Sequence, residues 1–163
     1  MQNDRDAIMK TLQINDPAPD FRLKGPEGQE HRLEDFRGKF LVLYFYPKDD
    51  TPGCTKEACS FRDDYRDYTE NGIAIVGISA DSPESHRRFA KKHDLPFILL
   101  SDPEKETLEA YGAWGEKSMY GKRYMGVIRK TFLIDKNGRI LKIYPKVRVE
   151  GHSEDILKSF GIK

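Results

Sequence analysis

Three segments of the chain are almost continuously apolar, without the alternation that is typical of a strand with one face in solvent. They cover residues 40–46, 73–79 and 97–100. Such runs favour strands that are covered on both faces, as in a parallel sheet between helices. Two further strands, 131–135 and 139–144, flank a turn that ends in Gly138, so they are predicted to form an antiparallel hairpin.

Helical patterns separate these strands. The predicted helices cover residues 54–71, 83–93, 105–111 and 153–160. Gly72 is a suitable stop for the first helix, because glycine tolerates the left-handed conformation that follows a helix. Ser82 as N-cap and Pro83 as the first helical residue begin the second helix, and Ser153 is predicted to cap the last.

The segment before the first apolar run carries weaker signals. Up to about residue 16 the chain is polar and is expected to lie on the surface. Residues 18–39 alternate around a Gly-Pro-Glu-Gly turn, which predicts a small hairpin, and residues 33–36 form a short turn or helix. The order of elements predicts an α/β protein with a thioredoxin-like fold: a central mixed sheet flanked by helices, with an N-terminal β-hairpin. One domain is expected over residues 1–163.

Charge and hydropathy exclude some classes of function. The 28 basic and 27 acidic residues are mixed along the chain, so no basic face for nucleic acid is expected. The apolar run at 40–46 is far shorter than the roughly 20 residues that cross a bilayer, which gives no reason to expect membrane binding. The chain starts without the apolar segment of a secretory signal, so a cytoplasmic protein is expected.

The chain has two cysteines, Cys54 and Cys59, and each could be a small buried apolar residue. The neighbours of Cys54 favour chemistry. Pro52 and Gly53 favour a turn that opens a helix, so Cys54 falls in the first helical turn, where free N–H groups and the macrodipole stabilise an anion. Thiolate is the nucleophilic form of cysteine. The nearby cationic side chains are Lys48, Lys56 and Arg62.

Ionisation alone is insufficient for a fast thiol enzyme. A cysteine with an ordinary pKa is roughly 3% ionised at neutral pH. Complete ionisation raises the nucleophile concentration about 30-fold, equivalent to roughly 2 kcal/mol. The site must also orient the substrate and stabilise the leaving oxygen. The hydroxyl of Thr51 and the backbone N–H of Cys54 are placed to contribute.

The pattern Pro47-x-x-x-Thr51-x-x-Cys54 resembles the active-site signature of the peroxiredoxins. The longer segment 45–59 resembles the bacterioferritin-comigratory, or PrxQ, subfamily. The resemblance extends over most of the chain, through residues 18–21, 77–79, 99–102, 111–112 and 129–135.

The resemblance implies a role for each site residue. Cys54 is the peroxidatic cysteine, Thr51 binds the peroxide, and Arg129 holds both thiolate and peroxide. Taken alone, Arg129 would be read as part of a surface salt bridge. The supporting residues are Pro47, which shields the thiolate from water, Gly53 in the turn, and Glu57, which orients the arginine.

The resemblance also implies an activity and partners. It predicts reduction of hydrogen peroxide and organic hydroperoxides, with electrons returned by thioredoxin or a similar dithiol protein. No organic cofactor and no metal are expected. The subfamily contains monomers and dimers, so a monomer or weak homodimer is expected.

Cys59 is either the resolving cysteine of an atypical 2-Cys enzyme or a spectator. Two residues five apart in an α-helix have Cα atoms about 8.6 Å apart, on faces that diverge by about 140°. A disulfide tolerates a separation of about 7 Å at most. If the two sulfurs bond, the first turns of the helix must therefore unwind.

Other functions fit the sequence less well. A thioredoxin-type reductase needs Cys-x-x-Cys and a cis-proline before the hairpin strand, and no proline lies between Pro103 and Pro145. Asp49 and Asp50 could hold Mg²⁺ for phosphoryl transfer, but no glycine-rich phosphate loop accompanies them, and solvated turn carboxylates are the simpler interpretation. The histidines show no ligand spacing toward the cysteines; they are His31, His86, His93 and His152. A redox sensor or holdase with the same reactive thiol remains an alternative.

Residues 114–121 contain Trp114 and Tyr120, and Tyr124 follows closely. The simplest interpretation is a loop that packs partly on the core. The alternative is a rim over the active site or a subunit contact, in keeping with its position before Arg129.

The spacing of the cysteines predicts a change in helix content on oxidation. Circular dichroism of the reduced protein and of protein with a proven Cys54–Cys59 bond should show a loss of helix in the oxidised form. Equal helix content in the two forms would contradict local unwinding.

Overall fold

The computed structural model describes residues 11–162. Of the polar opening segment, positions 1–10 lie outside the described residues, and positions 11–16 are exposed or half-buried. The strands are β1 (Arg22–Lys24), β2 (Glu30–Arg32), β3 (Phe40–Phe45), β4 (Ile73–Ser79), β5 (Ile98–Ser101), β6 (Trp114–Met119), β7 (Lys122–Val127), β8 (Lys130–Ile134) and β9 (Ile140–Tyr144). The helices are α1 (Pro52–Asp63), α2 (Tyr65–Glu70), α3 (Pro83–His93), α4 (Glu106–Ala110) and α5 (His152–Ser159), and Leu33–Phe36 form a 3₁₀ turn.

Seven strands form one mixed sheet in the order β2-β1-β5-β4-β3-β8-β9. The central strands β5, β4 and β3 are parallel, β8 and β9 extend the sheet antiparallel on one side, and the β1–β2 hairpin adds to the other. The predicted α/β class, mixed sheet and N-terminal hairpin are confirmed. Within the described range, no helix combines the length and apolar character required to span a bilayer.

Strand β3 lies between the two layers of the core and is almost wholly buried. Its odd-numbered residues from Leu41 to Phe45 pack into one layer, and its even-numbered residues pack into the other, together with Cys54 and Phe61. This burial on both faces explains why the sequence shows no alternation there. The strand directs the chain to the carboxyl edge of the parallel strands, where residues 46–51, here named the active-site loop, lead into α1.

Two helix predictions differ from the structure, and the two residues concerned are in contact. The single helix predicted over 54–71 is divided into α1 and α2 at Asp64, whose backbone leaves helical geometry (φ −97°, ψ 5°). The Asp64 carboxylate accepts a hydrogen bond of 2.7 Å from the hydroxyl of Ser153. Ser153 is not the N-cap of the last helix, because Gly151 takes that position with φ 75° and Ser153 lies within α5.

The interpretation of residues 114–121 as a loop is wrong. Strands β6 and β7 form a separate antiparallel hairpin, and Tyr120 and Gly121 turn its tip with φ of 53° and 80°. Turns with two positive φ values favour Asn-Gly or Asp-Gly. A tyrosine in the first position gives no sequence signal for such a turn, which explains the difference.

His152 is buried at the start of α5, with 3% of its surface exposed. Its Nε2 lies 2.8 Å from the hydroxyl of Thr131 on β8, and the rings of Phe61 and Tyr144 meet it edge-on. Burial lowers the pKa of His152 to about 4, the charge of Arg129 acts in the same direction, and Asp155 opposes them. The imidazole is therefore neutral in the folded protein at neutral pH.

We expect His152 to contribute to acid destabilisation. The unfolded chain binds a proton near the ordinary pKa of 6.5, whereas the folded protein resists it until about 4. The contribution is complete above pH 6.5 and is lost as the pH falls toward 4, up to about 3 kcal/mol in total. Chemical unfolding at several pH values should show a shallower loss of stability over this window in His152→Gln. An unchanged pH dependence in the variant would contradict this assignment.

Candidate active site

The active-site loop brings Cys54 into the first turn of α1, as the sequence predicts. Thr51 is the N-cap residue with extended geometry (φ −94°, ψ 157°), and Pro52 is the first helical residue. The side chain of Thr51 makes no capping hydrogen bond. The first N–H groups of an α-helix have no partner within the helix, so the N–H of Cys54 remains available to an oxygen at this end of α1.

Cys54 and Arg129 are in direct contact. The Nη2 of Arg129 donates to the sulfur of Cys54 at 3.3 Å. Cys54 is only 2% exposed, and Arg129 reaches it from the connection between β7 and β8, with 19% of its side chain exposed. The reading of Arg129 as part of a surface salt bridge is wrong, because its guanidinium lies at the sulfur and is largely removed from solvent.

Glu57 holds the other side of the same guanidinium. Its Oε1 accepts a hydrogen bond of 2.6 Å from Nη1 of Arg129, and its side chain is fully buried. Burial raises the pKa of Glu57 to about 7, against the opposing effect of Arg129. Burial lowers the pKa of Arg129, but the charges of Glu57 and Cys54 outweigh it and raise that pKa above its ordinary value. Cys54 and Glu57 are three residues apart on α1 and share a face, so one arginine can contact both.

The other predicted site residues lie around this contact. The hydroxyl of Thr51 donates to the carbonyl of Lys48 at 2.8 Å, which leaves the oxygen of Thr51 able to accept a hydrogen bond. Pro47 is half-buried in the active-site loop. A Cβ added to Gly53 would lie 3.4 Å from Nη2 of Arg129, in ordinary van der Waals contact, so Gly53 lies directly beside the guanidinium.

The lysines near Cys54 in sequence lie elsewhere in space. Lys48 is exposed, and Lys56 pairs with Glu150 at 3.6 Å on the surface. The hydrogen bonds of Arg62 go to Asp63 and to the carbonyl of His93.

A cation that the sequence analysis missed is Lys117 on β6. Its ammonium donates to the carbonyl of Val127 at 2.9 Å, two residues before Arg129. Burial lowers its pKa, the charge of Arg129 acts in the same direction, and Cys54 acts in the opposite one. Residues 114–121 are predicted from the sequence to form a loop, so there was no reason to place Lys117 on a strand beside the segment that leads to Arg129.

Cys59 lies in the same helix as Cys54, and both thiols are free. Cys59 is half-buried, whereas Cys54 is buried. The helix is continuous between them, so the two side chains point to different faces of α1.

The interpretation of the acidic pair as solvated is wrong for Asp49, which is 8% exposed. Its carboxylate accepts hydrogen bonds from Tyr46, Ser85 and His86 at 2.5–2.7 Å. Asp50 is exposed but contacts Lys92 and His93. The α3 residues that contact Asp49 and Asp50 lie 36–43 residues away along the chain, so the local sequence does not predict these contacts.

Asp49, Asp81 and His86 bring potential metal ligands close together. Each of these atoms already takes part in a hydrogen bond, however. The nitrogens of His86 face Asp49 and the carbonyl of Leu100, and Asp81 accepts from the backbone N–H of Asp49 and from the hydroxyl of Ser79. The group is better described as a hydrogen-bond network than as a metal site.

Comparison with known proteins agrees with this geometry. Residues 14–143 match the AhpC/TSA family. Peroxiredoxin Bcp from Bacillus subtilis is 50% identical over 149 residues, which are 91% of this chain and 95% of that protein. A mutant of Xylella fastidiosa PrxQ superposes with a TM-score of 0.88 at 32% identity, covering 93% of this chain and 97% of that one.

A second similar structure is that of the Xanthomonas campestris bacterioferritin comigratory protein, determined in connection with its alkyl peroxide reduction activity. It has a TM-score of 0.82 at 36% identity and covers 88% of this chain and 92% of that one. The sheet, the thiol at the helix start and these matches define a thioredoxin-fold peroxidase. The chain belongs to the AhpC/TSA family and, within it, to the Bcp/PrxQ peroxiredoxins.

The raised pKa of Glu57 predicts a pH-dependent effect of its substitution. Glu57→Gln removes the charge that holds Arg129, so we expect the reaction of Cys54 with peroxide to slow about tenfold at pH 8.5, as for one lost charge-assisted hydrogen bond. Below pH 7 the wild-type carboxyl is itself protonated, so the two proteins should converge toward pH 6. Stopped-flow rates for both proteins across this range test the prediction. A rate ratio that is constant with pH would contradict it.

Proposed function

We propose that this thiol-dependent peroxidase reduces hydrogen peroxide and organic hydroperoxides through nucleophilic attack by Cys54. The observation that carries the proposal is the contact of 3.3 Å between Nη2 of Arg129 and the sulfur of Cys54, in the first turn of α1. A permanently charged guanidinium and a helix N-terminus both favour thiolate over thiol. The alkyl peroxide reduction activity of the Xanthomonas relative supports the choice of substrate.

In the proposed first step, the Cys54 thiolate attacks one oxygen of the peroxide. The O–O bond breaks, the sulfur is oxidised to a sulfenic acid, and the other oxygen leaves as hydroxide or alkoxide and takes up a proton. Negative charge moves from sulfur to oxygen during this step. Arg129 and the N–H of Cys54 can donate to that oxygen, and the oxygen of Thr51 can accept a hydrogen bond from the hydroperoxide.

Glu57, Gly53 and Pro47 support the arrangement of Arg129 and the Cys54 thiolate. Glu57 fixes the orientation of Arg129 through its hydrogen bond of 2.6 Å. Gly53 lies beside the guanidinium, and Pro47 limits the access of water to the thiolate. These three residues are expected to change the rate of peroxide attack without contributing the nucleophile.

In the second step we assign Cys59 as the resolving cysteine. Its thiolate attacks the sulfenic sulfur of Cys54, the S–O bond breaks as the disulfide forms, and the oxygen leaves as hydroxide, which takes up a proton to give water. The first turns of α1 must unwind before the sulfurs can meet. Without this step, a second peroxide could oxidise Cys54 to the irreversible sulfinic state.

A dithiol protein of the thioredoxin type would return two electrons and restore both thiols by thiol–disulfide exchange. Within the protein, sulfur carries all the redox changes of this cycle, which therefore calls for neither an organic cofactor nor a metal. A single domain over residues 1–163, acting in the cytoplasm as a monomer or weak homodimer, completes the proposal.

The proposal predicts catalytic turnover that depends on Cys54. Wild-type protein should consume many equivalents of hydrogen peroxide in the presence of a small dithiol, and Cys54→Ser should abolish this. Non-reducing mass spectrometry after one equivalent of peroxide should show a monomer that has lost two hydrogens. In Cys59→Ser, the same treatment should instead give an oxidised single thiol or an intermolecular disulfide.

Oxidation of one equivalent without turnover would contradict the enzymatic proposal and favour a redox sensor. Peroxide consumption that survives in Cys54→Ser would show that another group is the nucleophile.

A further inference from the structure

Helix α3 contacts the active-site loop at two consecutive carboxylates. The first is Asp49, which accepts hydrogen bonds of 2.7 Å from the hydroxyl of Ser85 and from Nδ1 of His86. Its backbone N–H donates to Asp81 at 2.8 Å. Both the side chain and the main chain of Asp49 are therefore fixed from outside the loop.

The contact between Asp49 and His86 is buried. The Nδ1 of His86 lies 2.7 Å from a carboxylate oxygen of Asp49, and Nε2 lies 3.0 Å from the carbonyl oxygen of Leu100. A carbonyl oxygen only accepts, so Nε2 is the donor in that contact. The hydroxyl of Tyr46 donates to the other carboxylate oxygen of Asp49 at 2.5 Å. His86 has no exposed surface, and removing one partner of a buried hydrogen bond is costly because the other is left unsatisfied.

The second carboxylate, Asp50, contacts the other end of α3. Its oxygens lie 2.7 Å from Nζ of Lys92 and 3.0 Å from Nε2 of His93. The backbone of Asp50 is in the left-handed region (φ 57°). Residues other than glycine adopt this conformation at an energetic cost, although the cost is smaller for aspartate than for most. The guanidinium of Arg62 on α1 donates to the carbonyl of His93 at 2.8 Å, so the same end of α3 also holds the helix that carries Cys54.

We propose that Ser85, His86, Lys92 and His93 are positioning residues for peroxide attack. They fix Asp49 and Asp50, which directly precede Thr51, and thereby fix where Thr51 and Cys54 lie relative to Arg129. None of the four is placed to touch the peroxide in the mechanism above. Their effect is exerted on the geometry of the active-site loop, and the inference rests on Cys54 being the attacking thiol.

Two reactions of the same sulfur separate this role from a general loss of stability. Peroxide attack needs the thiolate, Arg129 and Thr51 at fixed positions relative to one another, because displacement at oxygen requires the attacking sulfur to be aligned with the O–O bond. Alkylation by iodoacetamide needs only a thiolate that the reagent can reach, and Cys54 is 2% exposed in the folded protein. A displaced loop should therefore slow the peroxide reaction without slowing alkylation, whereas a merely less stable protein should be alkylated faster at an unchanged peroxide rate.

The first test uses the exposed contact, where folding is least at risk. In a Cys59→Ser background, so that only Cys54 reacts, the double variant Lys92→Met/His93→Gln should react with hydrogen peroxide about tenfold more slowly. Its iodoacetamide rate should not fall below about half that of the parent protein. Asp50→Asn removes the carboxylate charge, keeps a residue that tolerates positive φ, and should behave in the same way.

The second test concerns the buried contact. His86→Gln keeps a polar side chain but cannot contact both Asp49 and the carbonyl of Leu100 as the ring does, and a larger loss of peroxide rate is expected. If this variant does not fold, Ser85→Ala removes one hydrogen bond to Asp49 and provides the same comparison. Arg87→Gln is the matched control: it neighbours His86 on α3 but contacts the carbonyl of Pro26 at 3.4 Å, away from the loop, and should change neither rate.

Equal slowing of both reactions in the α3 variants, or no change in either, would overturn the positioning role. These outcomes are distinct from failure of the proposed function. Peroxide consumption that is unchanged in Cys54→Ser would reject Cys54 as the nucleophile. Cys54-dependent consumption together with an unchanged ratio of the two rates in the α3 variants would reject only the inference about α3.

Discussion

The arrangement of the site depends on one planar cation shared between two residues of one helix. Arg129 donates through one nitrogen to the carboxylate of Glu57 and through another to the sulfur of Cys54. A lysine could not make both contacts in a fixed plane, because its ammonium is a single point of charge. The buried glutamate thus determines the direction in which the arginine offers its remaining donors, and the sulfur lies in that direction.

The sheet brings the arginine to this position. Strands β3 and β8 are antiparallel neighbours, with Phe45 opposite Lys130. The end of β3 and the start of β8 therefore lie at the same edge of the sheet. The active-site loop leaves from the first, and Arg129 immediately precedes the second. A slip of one residue in this register would turn the alternating side chains of β8 to the opposite faces and disturb the approach of Arg129 to Cys54.

The sequence predicts those elements of the protein that are determined by residues close together along the chain. The doubly buried strands, the Ser82–Pro83 helix start, the turn at Gly138 and the position of Cys54 in a first turn all follow from neighbouring residues. The contact between Arg129 and Cys54 required the family resemblance, because 75 residues separate the two.

The features that local sequence did not predict depend on distant partners or on unusual backbone. The break at Asp64 accompanies a contact with Ser153, 89 residues away. The burial of Asp49 depends on His86, which an acidic turn does not reveal. The tip of the β6–β7 hairpin places a tyrosine in a conformation that usually selects asparagine or glycine.

The division between α1 and α2 has a consequence for the energy of the redox cycle. Helices are cooperative, so melting of one end of a long helix tends to spread along it. Here the backbone leaves helical geometry at Asp64, and the hydroxyl of Ser153 on α5 donates to the carboxylate of Asp64 at 2.7 Å. This anchor lies beyond both cysteines, so the unwinding that a Cys54–Cys59 bond requires is expected to stay within α1, while α2 keeps its native packing.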